Sequence, residues 1–252
     1  NPQRVMAAVV ADAIQEGVEF QLGCAWHSRE GVDLAKTSQG HIAYGHLVNC
    51  AGLFADQIGH AFDVGRHYRI LPFRGQFYRL RPESKVQVRG NIYPVPDLRN
   101  PFLGVHFTCR PEGEVTVGPS ALPLLGREQY RGLAGANASD GLAMIKYLLR
   151  LFGRNRDHFR SIAWRELAKI SRAGFCREAE GLAVGFEPGD LLAGKEPGIR
   201  AQLVDTRTAE LLSDFVIESG PRSTHVLNAV SPAFTSSAPF AEYVVDMMRH
   251  VH

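Results

Sequence analysis

Two stretches of small residues, near opposite ends of the 252-residue chain, most constrain its fold. Each lies between a run that predicts a β-strand and a run that predicts a helix: HLVNCAGLFAD spans His46 to Asp56, and HVLNAVSPAFTSS spans His225 to Ser237. Small side chains at such corners let backbone N–H groups approach a ligand, and the first amides of the next helix favour negative or polar atoms. The alternative is an ordinary strand-turn-helix connection, with a Ser or Thr cap in the second case.

The rest of the pattern predicts a mixture of α/β and α+β structure. Strand-like runs at 74–80, 91–93, 103–108 and 114–118 are separated by turn residues, with no helix long enough to connect parallel strands, so we expect an antiparallel sheet. Apolar spacing predicts helices over 1–17, 54–62, 140–151, 161–176 and 239–248. Further strands are predicted at 20–22, 25–28, 41–44, 46–49, 198–204, 215–218 and 223–227.

Charge and cysteine content exclude several classes of protein. A net charge of +2, with scattered Arg residues, gives no patch that would bind nucleic acid. The four cysteines are far apart and form no C-x-x-C pair, so we expect reduced thiols and neither a metal site nor a disulfide. Since no run is long and apolar enough for a transmembrane segment and no signal peptide is visible, we expect a cytoplasmic protein, with peripheral attachment to a membrane as the alternative.

Six segments, taken in order, carry a resemblance to a known family. They are LPFRGQFYRL (Leu71 to Leu80), NIYPVPD (Asn91 to Asp97), PFLGVHFT (Pro101 to Thr108), GEVTVGPSA (Gly113 to Ala121), GIRAQLVD (Gly198 to Asp205) and NAVSPAFTSS (Asn228 to Ser237). The series resembles the L-2-hydroxyglutarate oxidase and dehydrogenase branch of the FAD-dependent D-amino-acid oxidase-like (DAO) family. The resemblance implies a partial Rossmann-like FAD-binding domain, split in sequence, with an inserted antiparallel-sheet domain that covers the substrate. We expect these parts at 1–70, 71–195 and 196–252, the middle one being the substrate domain.

One part of the family pattern does not occur in this sequence. It is the first βαβ unit, with its GxGxxG fingerprint and the acidic residue that binds the ribose. The glycine turn and the helix that follows it normally hold the pyrophosphate of the cofactor. We therefore expect these 252 residues by themselves to form an incomplete FAD site and to be inactive.

The resemblance assigns FAD contacts to both corners. It also places Trp26 where the backbone meets the adenine, although the usual residue there is a small aliphatic one. The remaining implied contacts are Asn49, Ala51 and Gly52 in the first corner, and Ser231, Pro232, Ala233, Phe234 and Thr235, beside the flavin pyrimidine, in the second.

Arg200 is the candidate for binding the substrate. A planar guanidinium binds a carboxylate through two parallel hydrogen bonds, and the G-[IL]-R pattern of related oxidases carries the arginine that does so. Strand alternation puts Arg200 and Gln202 on one face and Ile199 and Ala201 on the other. The alternative is an exposed strand arginine on a solvated face.

Oxidation of a 2-hydroxy acid also needs a base for the hydroxyl proton, and imidazole suits that role. His106 and His225 are the candidates, each with a purely structural role as the alternative. Arg74 and Tyr93 are candidates for a second anion contact or a hydroxyl donor, although Arg74 could instead brace the turn at Gly75.

Together these features predict an FAD-dependent oxidoreductase that acts on a dicarboxylic 2-hydroxy acid. The resemblance implies oxidation of L-2-hydroxyglutarate to 2-oxoglutarate by hydride transfer to flavin N5. The alternatives are an amino-acid or amine oxidase of the same fold and a truncated, non-catalytic fragment. Oxygen, a quinone and a second protein all stay open as electron acceptors.

Overall fold

A computed structural model describes residues 1–95, 102–194, 197–230 and 233–249. The chain divides into two compact units, Asn1–Leu47 and Val48–His252. The predicted domain border between residues 70 and 71 falls inside a strand, Tyr68–Gly75, and the predicted domain division stays a prediction. No helix in the described ranges is long and apolar enough to cross a membrane.

The first unit contains a helix and a three-stranded antiparallel sheet. Helix α1 (Pro2–Gln15) starts where predicted, because Asn1 accepts a hydrogen bond from the N–H of Gln3 at 3.1 Å and Pro2 suits the first helical position. The strands pair in the order β1 (Trp26–Glu30), β2 (Leu34–Thr37) and β3 (Gly40–Ala43). The strand predicted at 20–22 is wrong, and β2 was not predicted.

In the described residues from 47 onward the strands form three sheets, so the predicted mixture of helices and antiparallel strands is confirmed. Strands β12 (Glu210–Leu211), β11 (Gly198–Asp205), β5 (Tyr68–Gly75) and β9 (Leu122–Pro123) form the first, here called the central sheet. Strands β10 (Leu191–Ala193), β6 (Tyr78–Leu80), β8 (Val115–Gly118) and β7 (His106–Cys109) form the second, and β13 (Val216–Gly220), β14 (Ser223–Asn228) and β4 (Leu47–Asn49) form the third. The helices are α2 (Ala55–Ala61), α3 (Ala138–Arg154), α4 (Phe159–Ala168), α5 (Arg172–Glu180) and α6 (Ser237–Arg249).

Two predicted elements are each divided in the structure. The strand predicted at 74–80 consists of the end of β5 and all of β6, which belong to different sheets. The chain leaves the central sheet at Gln76. The N–H of Gln76 donates to Ser120 Oγ instead of to a strand partner. The helix predicted at 161–176 is α4 followed by α5, because Ser171 accepts the N–H of Gly174 at 3.0 Å and starts a new helix.

The central sheet has a hydrophobic core on each face. Strands β5 and β11 pair antiparallel over eight residues each. On one face Leu71, Phe73 and Val204 pack with residues of α3 and α4. On the other face Ile70 and Leu203 pack with Ala55 of α2 and Leu227 of β14. Because both faces are buried, the side chain of each residue in β5 and β11 faces one of two separate environments.

Candidate functional site

The structure brings the two small-residue corners onto neighbouring strands. Strand β4 enters the first corner, β14 leads to the second, and the two are adjacent in the third sheet. Asn49, the last residue of β4, donates from Nδ2 to Nδ1 of His225 on β14 at 3.0 Å. Both side chains are buried. Residues far apart in sequence therefore lie side by side, as a shared ligand site requires.

Asn49 shapes the first corner through its side chain. Its Nδ2 also donates to the carbonyl of Ala55 at 2.9 Å, and its Oδ1 accepts the N–H of Ala51 at 3.1 Å. Gly52 has φ +53, which favours glycine, and the space beside its Cα is open. A ligand atom can therefore approach the backbone at Gly52, while the Asn49 side chain is occupied in holding the turn.

The second corner is described on both sides of residues 231–232. Ser231 and Pro232 lie outside the described residues. The N–H of Ala233 donates to the carbonyl of Val230 at 2.7 Å, and α6 begins at Ser237 after a turn. Phe234 is exposed.

A buried ion pair lies behind the first corner and was not predicted from the sequence. Arg127 donates to Asp56 through two nitrogens, Nη1 to Oδ1 at 2.6 Å and Nη2 to Oδ2 at 3.0 Å. Asp56 Oδ2 also accepts the N–H of Ile70, and Arg127 Nε lies 3.3 Å from Asp140 Oδ1. Arg127 is additionally bonded to the carbonyl of Leu53. The only signal in the sequence was Asp56 in the first turn of a helix; its partner is remote in the chain.

Arg200 lies at a cavity of about 230 Å³ beside the end of the central sheet. It sits directly opposite Phe73 across the β11–β5 ladder, on the face that the alternation predicted. Its guanidinium carbon lies 5.6 Å from the centre of the Phe102 ring, a cation–π contact. Within the described residues it has no hydrogen bond or ion pair, and burial lowers its pKa.

Arg74 does not share this cavity. It lies opposite Ile199, so its side chain projects from the other face of the central sheet than that of Arg200. Its Nη2 donates to Gln76 Oε1 at 3.1 Å, and its buried Nε has no partner among the described residues. Its predicted role as a second anion contact stays a prediction.

His106 and Tyr93 lie together, close in the chain to residues that line the cavity. Their rings stack with centres 4.6 Å apart. His106 pairs with Gly118 in the β7–β8 ladder, next to Pro119 in the cavity wall. Its Nδ1 lies 2.9 Å from the carbonyl of Gly104, and burial lowers its pKa.

The other predicted residues have different surroundings. His225 is fully buried, packs on Phe62 with ring centres 5.1 Å apart and holds β14 against Asn49. That is the position of a structural histidine, and its predicted role as a base stays a prediction. Trp26 lies in β1 of the first unit, and its predicted contact with the adenine also stays a prediction.

Comparison with known proteins gives a consistent result. The family described as FAD dependent oxidoreductase (DAO) matches residues 1–247. The chain is 34% identical over 259 residues to the mitochondrial L-2-hydroxyglutarate dehydrogenase of Homo sapiens, covering 97% of this chain and 54% of the relative. It is 33% identical over 226 residues to the L-2-hydroxyglutarate dehydrogenase of Escherichia coli (strain K12), covering 88% and 51%. The chain thus spans about half the length of these curated relatives.

Two solved structures share the fold. L-alpha-glycerophosphate oxidase from Mycoplasma pneumoniae, with FAD bound, aligns with a TM-score of 0.63 and 15% identity, over 95% of this chain and 53% of that one. Glycine oxidase from Bacillus cereus ATCC 14579 aligns with a TM-score of 0.56 and 9% identity, over 95% and 54%. At these identities the likeness shows the fold alone.

Proposed function

The chain belongs to the family of FAD dependent oxidoreductases, and from this we propose that it forms part of an enzyme that oxidises L-2-hydroxyglutarate, a dicarboxylic 2-hydroxy acid, to the 2-oxo acid. The observation that carries the proposal is the guanidinium of Arg200, which has no anionic partner among the described residues and faces a largely apolar cavity. The pKa of Arg200 is lowered because burial removes the charged guanidinium from water, which is energetically unfavourable. A carboxylate ligand offsets that cost.

The described residues fit the flavin end of FAD. The open space at Gly52 lets a ligand reach the backbone, and the adjacency of β4 and β14 brings the two small-residue corners together. On this proposal Ala51 and Gly52 hold the cofactor from one side and residues 233–235 from the other. When bound, FAD supplies the acceptor for the two electrons removed from the substrate.

Of the two candidate bases we favour His106, because Leu103, three residues before it, lines the cavity, whereas His225 is fully buried beside Phe62. With Nδ1–H donating to the Gly104 carbonyl, the neutral ring has a free electron pair on Nε2 that can take the hydroxyl proton. The lowered pKa keeps the ring neutral at neutral pH. Tyr93 stacks on the ring and fixes its plane.

The test is substrate-dependent bleaching of the flavin in the full-length protein. We expect L-2-hydroxyglutarate to bleach it under anaerobic conditions, and the D enantiomer and L-glutamate not to. If L-glutamate bleaches the flavin and L-2-hydroxyglutarate does not, the amino-acid oxidase alternative replaces the proposal. Peroxide release in air would identify oxygen as the acceptor; its absence, with turnover when a quinone is added, would identify a quinone.

We also propose that the protein works at an anionic membrane surface. The support is an exposed apolar face on α3 and α4, on which the rings of Phe152 and Trp164 meet with centres 6.4 Å apart. The α3–α4 apolar face consists of Leu142, Ile145, Leu149, Phe152, Trp164 and Leu167, with Ile170 just after the end of α4, all of them exposed.

Charge favours a lipid surface over a second copy of the chain. The exposed charges on α3 and α4 are the cations Lys146, Arg154, Arg160 and Arg165. The two helices also carry two carboxylates. Asp140 is already paired with Arg127, and Glu166 with Lys169. A symmetric dimer would therefore bring like charges together, whereas anionic headgroups would neutralise them.

Co-sedimentation with vesicles tests this membrane proposal. We expect the protein to bind phosphatidylcholine vesicles that contain phosphatidylglycerol, and Leu142→Gln with Leu149→Gln to abolish the binding. Leu133→Gln, at a residue that is also exposed but lies outside this face, is the control. Concentration-dependent dimerisation without vesicle binding would overturn the proposal.

A further inference from the structure

Ser120 is the second polar side chain in the wall of the Arg200 cavity. Of the described residues that line the cavity, only Arg200 and Ser120 carry polar side-chain atoms. The others are aromatic, aliphatic or glycine. An acid whose first carboxylate binds Arg200 thus has one further side chain in this lining that can recognise it through a hydrogen bond.

The hydroxyl proton of Ser120 is uncommitted within the part of the chain that the structure describes. Ser120 Oγ accepts the N–H of Gln76 at 3.2 Å. A serine hydroxyl accepts through its electron pairs and donates one proton. No described residue accepts that proton, although Ser120 is 3% exposed. A buried donor with no acceptor is costly, and a ligand oxygen would satisfy it.

The backbone on both sides holds Ser120 in place. The N–H of Ser120 donates to the carbonyl of Gln76 at 3.2 Å. The next N–H, of Ala121, donates to Glu166 Oε2 at 2.7 Å, and Glu166 Oε1 lies 2.7 Å from Lys169 Nζ. Glu166 and Lys169 are buried, so this anchor is shielded from water. The hydroxyl is consequently presented to the cavity from a fixed backbone.

We infer that Ser120 donates a hydrogen bond to the distal carboxylate of the substrate, the one that Arg200 does not bind. Ser120 would then set the preference for a dicarboxylic over a monocarboxylic 2-hydroxy acid. The inference rests on the proposed function, since it takes Arg200 to hold the carboxylate next to the reacting carbon.

The test compares two substrates in the full-length enzyme: L-2-hydroxyglutarate and L-2-hydroxyvalerate, which lacks the distal carboxylate. We expect Ser120→Ala to raise KM for L-2-hydroxyglutarate about tenfold, as for loss of one hydrogen bond to a charged group. KM for L-2-hydroxyvalerate should change less than about twofold. Ser120→Thr, which keeps the hydroxyl, should restore KM for the dicarboxylate.

Two results would overturn the inference. One is an unchanged KM for L-2-hydroxyglutarate in Ser120→Ala; the other is an equal rise for both substrates, which would mean that Ser120 only shapes the cavity. Failure of the proposed function looks different, because the parent enzyme would then oxidise neither acid.

Discussion

Asn49 and His225, 176 positions apart in the chain, are joined by a hydrogen bond of 3.0 Å between Nδ2 and Nδ1. Through the same amide nitrogen Asn49 holds the carbonyl of Ala55, the first residue of α2. One buried side chain therefore connects β4, β14 and α2, the three elements on which the candidate cofactor corners depend.

Replacing this asparagine should loosen the corner. We expect Asn49→Ala to lower the free energy of unfolding by about 2 to 4 kcal/mol, because it leaves the buried carbonyl of Ala55 and the partly buried N–H of Ala51 without this partner. Urea denaturation measures the change. A matched control is Asn1→Ala, which removes an exposed helix cap and should cost about 1 kcal/mol. Equal costs for the two variants would contradict the role given to Asn49.

Breaking the buried Asp56–Arg127 pair should destabilise the second unit strongly. Asp56 is 0% and Arg127 6% exposed, so Arg127→Met leaves a buried carboxylate unpaired and should cost about 3 to 5 kcal/mol. Adding Asp56→Asn should recover part of the loss, because the remaining group is neutral. Urea denaturation of the single and double variants tests this. Arg66→Met, which breaks the exposed pair with Asp63, should stay within about 0.5 kcal/mol of the parent.

Replacing Arg200 should reduce kcat/KM for the substrate strongly and should change the stability of the fold little. We expect Arg200→Met to lower kcat/KM for L-2-hydroxyglutarate by about 100-fold or more, equivalent to about 3 kcal/mol. The melting temperature should hold or rise, because the cation that is removed is partly buried and has no ionic partner among the described residues. Steady-state kinetics and calorimetry measure the two effects. A large fall in melting temperature with unchanged kcat/KM would show that Arg200 is structural.

The pH dependence of turnover should reflect the protonation of the His106 imidazole. Burial puts its pKa below the ordinary 6.5, so the folded protein binds the proton less tightly than the unfolded chain. Its contribution to stability is therefore present above pH 6.5 and is lost as the pH falls through that value towards the folded pKa. If Nε2 is the base, kcat/KM should fall on the acid side with a midpoint below 6.5. The acid limb should disappear in His106→Gln; its survival there would exclude this histidine.

Local patterns predicted most helices and strands because they depend on neighbours in sequence. Apolar spacing predicted α1, and alternation put Arg200 and Gln202 on one face of β11, as the structure has them. Where a predicted element was wrong, a contact with a residue distant in sequence determined the local structure. The strand expected at 74–80 divides where Ser120, remote in the chain, accepts the N–H of Gln76.

The sequence by itself determined the kinds of element, the two small-residue corners and the candidate residues, since side-chain size, periodicity and turn chemistry act over a few positions. Only the tertiary structure decided which candidates meet. It paired Arg127 with Asp56, placed Arg74 and Arg200 on opposite faces of one sheet, and buried His225 behind Asn49. Those outcomes depend on strand register and packing between remote segments, where a shift of one residue would exchange the faces.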